Sequence, residues 1–142
     1  MAAGDFTTFE EFRLQMANGT HDLDTHTFKV ALLTSATAPT ASDATPQLGD
    51  YTEVTAGGNY TAGGYTVTPS WTEAGGTATW DSDDPTWSQH ASNPTNARYG
   101  LLYNDTATGD PAIGWVDLGT TVDLSASDYT MTVNGSGWFT VS

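Results

Sequence analysis

The 142-residue sequence contains no cysteine, which excludes disulfides, thiolate metal sites and thiol nucleophiles. It is almost as poor in cations, since three basic residues face 17 acidic ones and the formal net charge is −14. Nucleic-acid binding requires a cluster of cations that displaces counterions from phosphates, and an anionic membrane attracts the same kind of cluster. The sequence therefore predicts that neither nucleic acid nor a membrane is a partner.

Long apolar runs are lacking as well. No stretch reaches the roughly 18 consecutive apolar residues of a membrane helix. The segment Met1–Phe6 has neither the basic region nor the apolar core of a signal peptide, so we expect a protein that is made and used without secretion. A chain of this length is typical of one domain, and we predict a single unit over residues 1–142.

One segment has the pattern of a helix, from about residue 8 to residue 18. Thr8 stands three residues before Glu11, which is the spacing of a capping box, and Asn18-Gly19 supplies a helix stop. Its apolar residues fall on one face at three- and four-residue steps: Phe6, Phe9, Phe12 and Met16. This face either packs on the sheet of the same domain or docks on a partner.

After Gly19 the pattern changes to the two-residue period of strands. Strands are predicted near residues 27–34, 65–71, 77–80, 97–103, 113–118, 129–133 and 138–141, with weaker ones near 51–54 and 120–124. Pro69 cannot donate to a ladder and predicts an edge or a bulge, whereas Asn134-Gly135 predicts a hairpin. Residues 36–50 are expected to form an exposed loop. The sequence thus predicts a mainly β fold, an antiparallel sandwich or barrel with one short N-terminal helix.

Three short patterns suggest chemistry, and each has a simpler interpretation. The run Asp81–Asp84 gathers hard oxygen ligands, but Pro85 occupies a position where a calcium loop needs another ligand, so an acidic turn is favoured. His21 and His26 are five residues apart, which fits neither helical nor strand spacing for a metal, so surface histidines are expected. Gly135-Ser136-Gly137 is only a fragment of a hydrolase nucleophile elbow. The sequence predicts no catalytic residue, no metal ligand and no cofactor.

The tryptophans and one arginine carry structural expectations. Each tryptophan lies in or beside an alternating run, so burial between sheets is favoured over a sugar-stacking platform. The five are Trp71, Trp80, Trp87, Trp115 and Trp138. Arg98 precedes a strong strand, and we predict that it forms a structural ion pair with an aspartate.

Six segments, spread over nearly the whole chain, follow one another in a characteristic order. The segments are Gly19-Thr20-His21-Asp22-Leu23-Asp24-Thr25-His26, Phe28-Lys29-Val30-Ala31-Leu32-Leu33, Tyr60-Thr61-Ala62-Gly63-Gly64-Tyr65, Asp83-Asp84-Pro85-Thr86-Trp87, Ala97-Arg98-Tyr99-Gly100-Leu101-Leu102-Tyr103 and Ile113-Gly114-Trp115-Val116-Asp117-Leu118-Gly119. This arrangement resembles small virion structural proteins of tailed bacteriophages, most closely the capsid cement or decoration proteins with a jelly-roll β-sandwich.

The resemblance implies a protein without enzymatic activity that is made in the host cytoplasm and placed on the capsid surface of the virion. It would bind the major capsid protein as a dimer or trimer and clamp neighbouring subunits. Two alternatives remain: a structural component of the phage tail or neck, and a carbohydrate-binding β-sandwich module. The candidate partner-binding residues are Phe6, Phe9, Phe12 and Met16, followed by Tyr51 and Tyr60.

Overall fold

A computed structural model of the chain describes residues 5–133 and 135–142. In chain order the elements are β1 (Phe6–Thr8), α1 (Glu11–Ala17), β2 (Phe28–Leu33), a 3-10 turn (Leu48–Asp50), β3 (Tyr65–Thr66), β4 (Pro69–Ala74), β5 (Thr77–Ser82), β6 (Thr86–Trp87), β7 (Ala97–Asn104), β8 (Ala112–Val122), β9 (Tyr129–Thr130) and β10 (Phe139–Val141). The predicted fold class, a mainly β antiparallel sandwich with one short helix, is confirmed. No helix in the described part of the chain has the length and hydrophobicity needed to cross a lipid bilayer.

The strands form two main sheets. One has five strands in the order β1-β8-β7-β2-β3, and the other has three in the order β10-β5-β4. Strands β6 and β9 form a separate antiparallel pair. The register of the long central pair places Val30 opposite Leu102 and Leu32 opposite Gly100, so the apolar side chains of neighbouring strands lie on shared faces.

The centre of the five-stranded sheet is buried on both faces, which explains the almost continuous apolar run of β2. Phe28, Val30 and Leu32 belong to the larger core, where Phe28 packs edge to face on Trp80 of β5 at 5.7 Å between ring centroids. Ala31 and Leu33 belong to a second core on the opposite face. Side chains alternate across a strand, so one six-residue strand supplies both layers.

The N-terminal helix is shorter than predicted because its expected first turn is recruited into the sheet. Phe6 pairs with Val116 and Thr8 with Gly114 of β8. Gly114 has no Cβ, and its missing side chain leaves the space that the Thr7 carbonyl and the Phe6 ring occupy. The predicted capping box at Thr8 is therefore wrong: α1 begins at Glu11 after an N-cap at Glu10 without a side-chain cap bond.

The alternating run over residues 65–71 is divided between the two sheets. β3 pairs with β2, whereas β4 pairs with β5. Between them the Val67 amide donates to the Phe28 carbonyl at 3.1 Å and the Thr68 amide donates to Asp83, which holds the crossing point. Pro69 begins β4, an outer strand of its sheet, as the prediction of an edge strand required.

Other boundaries also differ from the predictions. β9 and β10 do not form a hairpin, since β9 pairs with β6 and β10 pairs with β5; Asn134 of the predicted turn lies outside the described residues. Residues 51–54 form only an isolated bridge, between Glu53 and Leu33, and the weak strand at 120–124 is the end of β8, which extends to Val122.

The segment 36–50 is mostly exposed, as expected, but Pro39 and Pro46 within it are buried. Its backbone is bonded to two neighbours. The Glu10 amide donates to the Ala41 carbonyl at 2.9 Å, and the Ala112 amide donates to the Pro46 carbonyl at 2.8 Å. The segment thus covers the second core, where Tyr51 stacks on Phe9.

Candidate functional site

Two shallow hollows lie side by side where α1 packs against β10. Phe12 of α1 meets the Phe139 ring edge to face at 5.1 Å between centroids, and Phe6 of β1 meets Trp138 at 5.2 Å. These ring contacts hold the helix over the edge of the three-stranded sheet. We call this surface, which comprises both hollows, the α1–β10 patch.

The first hollow has a volume of about 590 Å³ and is enclosed by α1, β1 and β10. Its walls are mostly apolar or hydroxyl-bearing, and Arg13 is the one charged side chain among the described residues that line it. No described carboxylate forms a salt bridge with Arg13. No acidic side chain lines this hollow among the described residues, and Ser142, the last residue of the sequence, is also part of its lining.

The second hollow, of about 500 Å³, lies between α1, β10 and β4. Trp71 contributes to its apolar floor, and its charged side chains are Asp24 and Glu73. Met16 and Val141 line both hollows and form the ridge between them. The charged side chains on the two sides of the ridge thus differ: Arg13 lies on one side, and Asp24 and Glu73 lie on the other.

Two large apolar side chains are exposed, one on α1 and one on the ridge. Leu14 of α1 is 57% exposed and Val141 is 40% exposed, and these are the large hydrophobic residues that stand out as exposed in the described part of the chain. The sequence did not single out either residue. Leu14 lies off the predicted apolar face of the helix, and the short strand that contains Val141 has no pattern that predicts an exposed apolar side chain.

The predicted partner-binding residues fall into two groups, one buried and one partly exposed. Four are buried, with 1% exposure for Phe9, 6% for Phe12, 8% for Tyr51 and 2% for Tyr60. These four side chains complete the chain's own cores, and their part in binding a partner stays a prediction. Phe6 and Met16 are partly exposed and line the α1–β10 patch.

Tyr60 anchors a glycine-rich loop to the central sheet. Its hydroxyl accepts a hydrogen bond from the Leu32 amide at 2.9 Å and donates one to the Glu53 carboxylate at 2.7 Å. The same carboxylate oxygen accepts from the Gly63 amide at 2.7 Å. Burial, together with Glu53, raises the pKa of Tyr60, so the phenol stays protonated and serves a structural role.

Replacing Tyr60 with Phe is expected to lower the free energy of unfolding by about 1 kcal/mol, because the buried Leu32 amide loses its acceptor. Tyr65→Phe is the control: the Tyr65 hydroxyl donates to Asp83 at an exposed position, so we expect little change. Urea unfolding of the two variants measures the difference, and equal losses would contradict the anchoring role.

A second polar cluster joins α1 to the β7–β8 hairpin. The Asn104 side-chain amide donates to His21 Nδ1 at 3.1 Å and to His26 Nδ1 at 2.8 Å. His21 Nε2 is 2.9 Å from Oε1 of Gln15, to which it donates. His21 is only 5% exposed, so the prediction of a surface histidine is wrong for this residue. We call these four residues, Gln15, His21, His26 and Asn104, the His21 cluster.

The remaining cations are paired within the chain. Arg98 forms a salt bridge with Asp117 at 2.9 Å, and its guanidinium lies 5.6 Å from the centroid of the Tyr99 ring. Lys29 forms a salt bridge with Asp105 at 3.0 Å. Both pairs are partly solvent-exposed and contribute little stability on their own.

The acidic run 81–84 forms the end of β5 and the start of its connection to β6, and it is not the turn that we expected. Asp83 accepts hydrogen bonds from the Tyr65 hydroxyl and the Thr68 amide, and Asp81 accepts from the Ser82 amide at 2.9 Å. Within residues 5–133 and 135–142, no group of three or more histidine or acidic side chains is arranged to hold a metal ion.

The tryptophans do not form a shared platform. Trp80, Trp87 and Trp138 are buried. The two that are partly exposed belong to different sheets: Trp71 is on β4 and donates to the Leu23 carbonyl at 3.3 Å, whereas Trp115 is on β8 and packs on Phe9. A flat stacking surface for a sugar needs neighbouring rings, and this arrangement does not supply one.

Fold and site together define an antiparallel β-sandwich that carries a charged and apolar surface patch. No protein-family model, curated protein or solved structure matches the chain.

Proposed function

We propose that this protein is a capsid cement or decoration protein, which binds the outside of a phage head and stabilises the lattice of the major capsid protein. The proposal rests on the resemblance of the sequence to small virion proteins together with the charge distribution of the folded chain. Lys29 and Arg98 are neutralised by the chain's own aspartates, so the surface presents an excess of carboxylates. That single observation favours a protein partner with a basic face and disfavours DNA.

The mechanism is stabilisation by binding. A protein that binds only the assembled lattice lowers the free energy of that state by an amount that grows with the logarithm of its free concentration over its dissociation constant. Many copies that each bridge neighbouring subunits add their contributions, because the second contact of a bound copy forms at high effective concentration. No chemical step is needed, and the neutral Tyr60 and His21 are used for structure.

The proposal is tested on heads from which the protein has been stripped. Heads with the protein re-added are expected to retain DNA on warming or osmotic shock, whereas heads that receive buffer lose it. Heads that were never stripped are the positive control. Equal DNA loss with and without the protein would refute the cementing role.

Rebinding to stripped heads is expected to weaken as salt rises from 0.05 M to 0.5 M, because exposed carboxylates are screened. A pull-down of heads at the two salt concentrations measures the bound fraction. Binding that strengthens with salt would mean that apolar contact dominates and would contradict the role given to the acidic surface.

Placement in the tail or neck is separated from the capsid surface by the number of copies per particle. A cement protein is present in numbers comparable with the major capsid protein, whereas a tail or neck component is present in a few copies. Quantitative mass spectrometry of purified particles gives this ratio, and a low ratio would replace the cement proposal with the structural-joint alternative.

A further inference from the structure

Strand β4 (Pro69–Ala74) forms a long open edge of the three-stranded sheet. It lies at one end of the strand order, and within the described part of the chain no strand pairs with its outer side. The other outer strands of the two main sheets, β1, β3 and β10, have only two or three residues each. β4 pairs with β5 over six consecutive residues, and its proline is the first of them, so the rest of the edge can still form hydrogen bonds.

The hairpin geometry indicates which backbone groups of β4 face outward. The two-residue turn after β4 closes on a hydrogen-bonded pair, which is formed here by Ala74 and Thr77. Hydrogen-bonded and non-hydrogen-bonded pairs alternate along an antiparallel ladder. The backbone amide and carbonyl of Thr72 are therefore directed to β5, whereas those of Trp71 and Glu73 are directed to the open edge.

The second hollow of the α1–β10 patch reaches this edge. Three consecutive residues of β4, Trp71, Thr72 and Glu73, line it, and consecutive residues of a strand point to opposite faces of the sheet. A hollow lined by all three therefore extends along the edge of the strand. A strand added to β4 would form main-chain hydrogen bonds with Trp71 and Glu73 and would place every second side chain at the hollow.

The charges of the second hollow favour a basic side chain in it. Asp24 and Glu73 line it, and neither forms a salt bridge with a described cation. Glu73 Oε1 accepts from the Gly76 amide at 2.7 Å, which orients the carboxylate but does not neutralise it. A lysine or arginine can lay its aliphatic stem on the apolar lining, which includes the partly exposed Trp71, and bring its charge to the two carboxylates.

We propose that the open edge of β4 binds an extended basic segment of another protein by strand addition, with a lysine or arginine of that segment in the second hollow. The chain does not supply this cation itself, because Lys29 and Arg98 pair with its own aspartates and Arg13 lines the first hollow. A second copy paired edge to edge would bring its own Asp24 and Glu73 to carboxylates that are already there. The charges therefore select a different, basic partner.

The test uses the purified full-length protein and, as the probe, an acetylated and amidated heptapeptide of alternating lysine and valine. Calorimetric titration at physiological salt is expected to give a dissociation constant below about 1 mM. A heptapeptide with glutamate in place of each lysine is expected to bind at least about tenfold more weakly, because it brings like charges to the hollow. Absence of binding by the lysine–valine peptide, or equal binding of the two peptides, overturns the proposal. No phage head is present, so the result is independent of the cement proposal.

Hydrogen exchange distinguishes strand addition from simple attraction between charges. The Trp71 and Glu73 amides are expected to exchange at least about tenfold more slowly when the lysine–valine peptide is saturating, whereas the Thr72 amide is slow with and without it. The same peptide with methylated backbone nitrogens keeps its charge but cannot donate to the edge, so we expect it to bind at least about tenfold more weakly. Unchanged exchange at Trp71 and Glu73, or equal binding of the methylated peptide, would show that no strand is added.

Glu73→Gln then locates the basic side chain. It is expected to raise the dissociation constant of the lysine–valine peptide by about threefold or more, because it removes a charge from the hollow while its amide oxygen can still accept from the Gly76 amide. Glu10→Gln is the matched control, since it makes the same change of net charge at an exposed position outside that hollow. It is expected to leave the dissociation constant almost unchanged. Equal effects of the two substitutions would mean that overall charge governs binding, and the placement in the second hollow would be wrong.

Discussion

Lowering the pH from 7 to 4 is expected to reduce the free energy of unfolding by about 3 kcal/mol through His21 alone. Burial of the imidazole, reinforced by the neighbouring His26, lowers the pKa of His21 to about 4 from an ordinary value of 6.5. As the pH falls through 6.5, the unfolded chain binds a proton that the folded chain cannot bind. Stability is therefore lost between pH 6.5 and pH 4, and little more is lost through this group below pH 4.

The hydrogen bonds of the His21 cluster explain why the folded protein excludes this proton. The Asn104 carbonyl oxygen accepts from the Thr106 and Ala107 amides at 3.0 and 3.1 Å, so its amide nitrogen faces the imidazoles. His21 Nδ1 must then be an unprotonated acceptor, with the hydrogen on Nε2. Protonating Nδ1 would place two donors against each other in a buried site.

Urea unfolding at several pH values measures this loss, and NMR titration of the imidazole carbons of His21 measures its pKa directly. His21→Gln is expected to lower stability at pH 7 but to flatten the dependence on pH between 6.5 and 4. His90→Gln, at an exposed loop position, is the control and should keep the wild-type slope. A His21 titration near pH 6.5 in the folded protein would contradict this account.

Aspartates with lowered pKa values change the free energy of unfolding in a different pH range from His21. Hydrogen bonds from Thr25 and from the Asp24 and Thr25 amides lower the pKa of Asp22, and bonds from Ser125 and the Ala126 amide lower that of Asp123. Their contribution is present above their ordinary pKa and is lost as the pH falls further. The loss between pH 6.5 and pH 4 is therefore assigned to histidine.

The sandwich could be predicted because its signals are local. Bulky and small residues alternate along each strand, and Gly75-Gly76 marks the β4–β5 hairpin, where both glycines have positive φ. The first strand could not be predicted in this way. Phe6–Thr8 has a helix-like spacing of aromatic residues with Phe9 and Phe12, and only the distant pairing with Gly114 turns it into a strand.

The same difference between local and distant signals limits what the sequence reveals of the candidate site. Met16 and Phe6 were predicted from the spacing of apolar residues. The charges of the two hollows were not, because Arg13, Glu73 and Val141 are far apart in sequence and meet only through packing. His21 was missed for the same reason, since its burial depends on Asn104, 83 residues further along the chain.

Replacing Gly64 with Ala is expected to cost about 3 kcal/mol or more of folding stability, or to abolish cooperative unfolding. A Cβ at this position would overlap the Val30 carbonyl and approach Ala31 Cα. Both residues are fully buried in β2, so they cannot move aside without disturbing the central sheet. The Gly63-Gly64 turn cannot move away from β2 either, because two hydrogen bonds hold Gly63. Its amide donates to the Glu53 carboxylate, and its carbonyl accepts from the Tyr103 hydroxyl at 2.7 Å.

Gly76→Ala separates this overlap from the cost of the backbone conformation. Gly76 has a φ of +86°, close to the +82° of Gly64, but nothing lies within 4 Å of where its Cβ would be. Gly76→Ala is expected to lower the free energy of unfolding by about 1 kcal/mol, which is the penalty of a non-glycine residue in the left-handed conformation alone. Urea unfolding of the two variants gives the difference, which isolates the close approach of the Gly63-Gly64 turn to β2. Equal losses would mean that the turn yields, and that the hydrogen bonds at Gly63 do not fix it against the sheet.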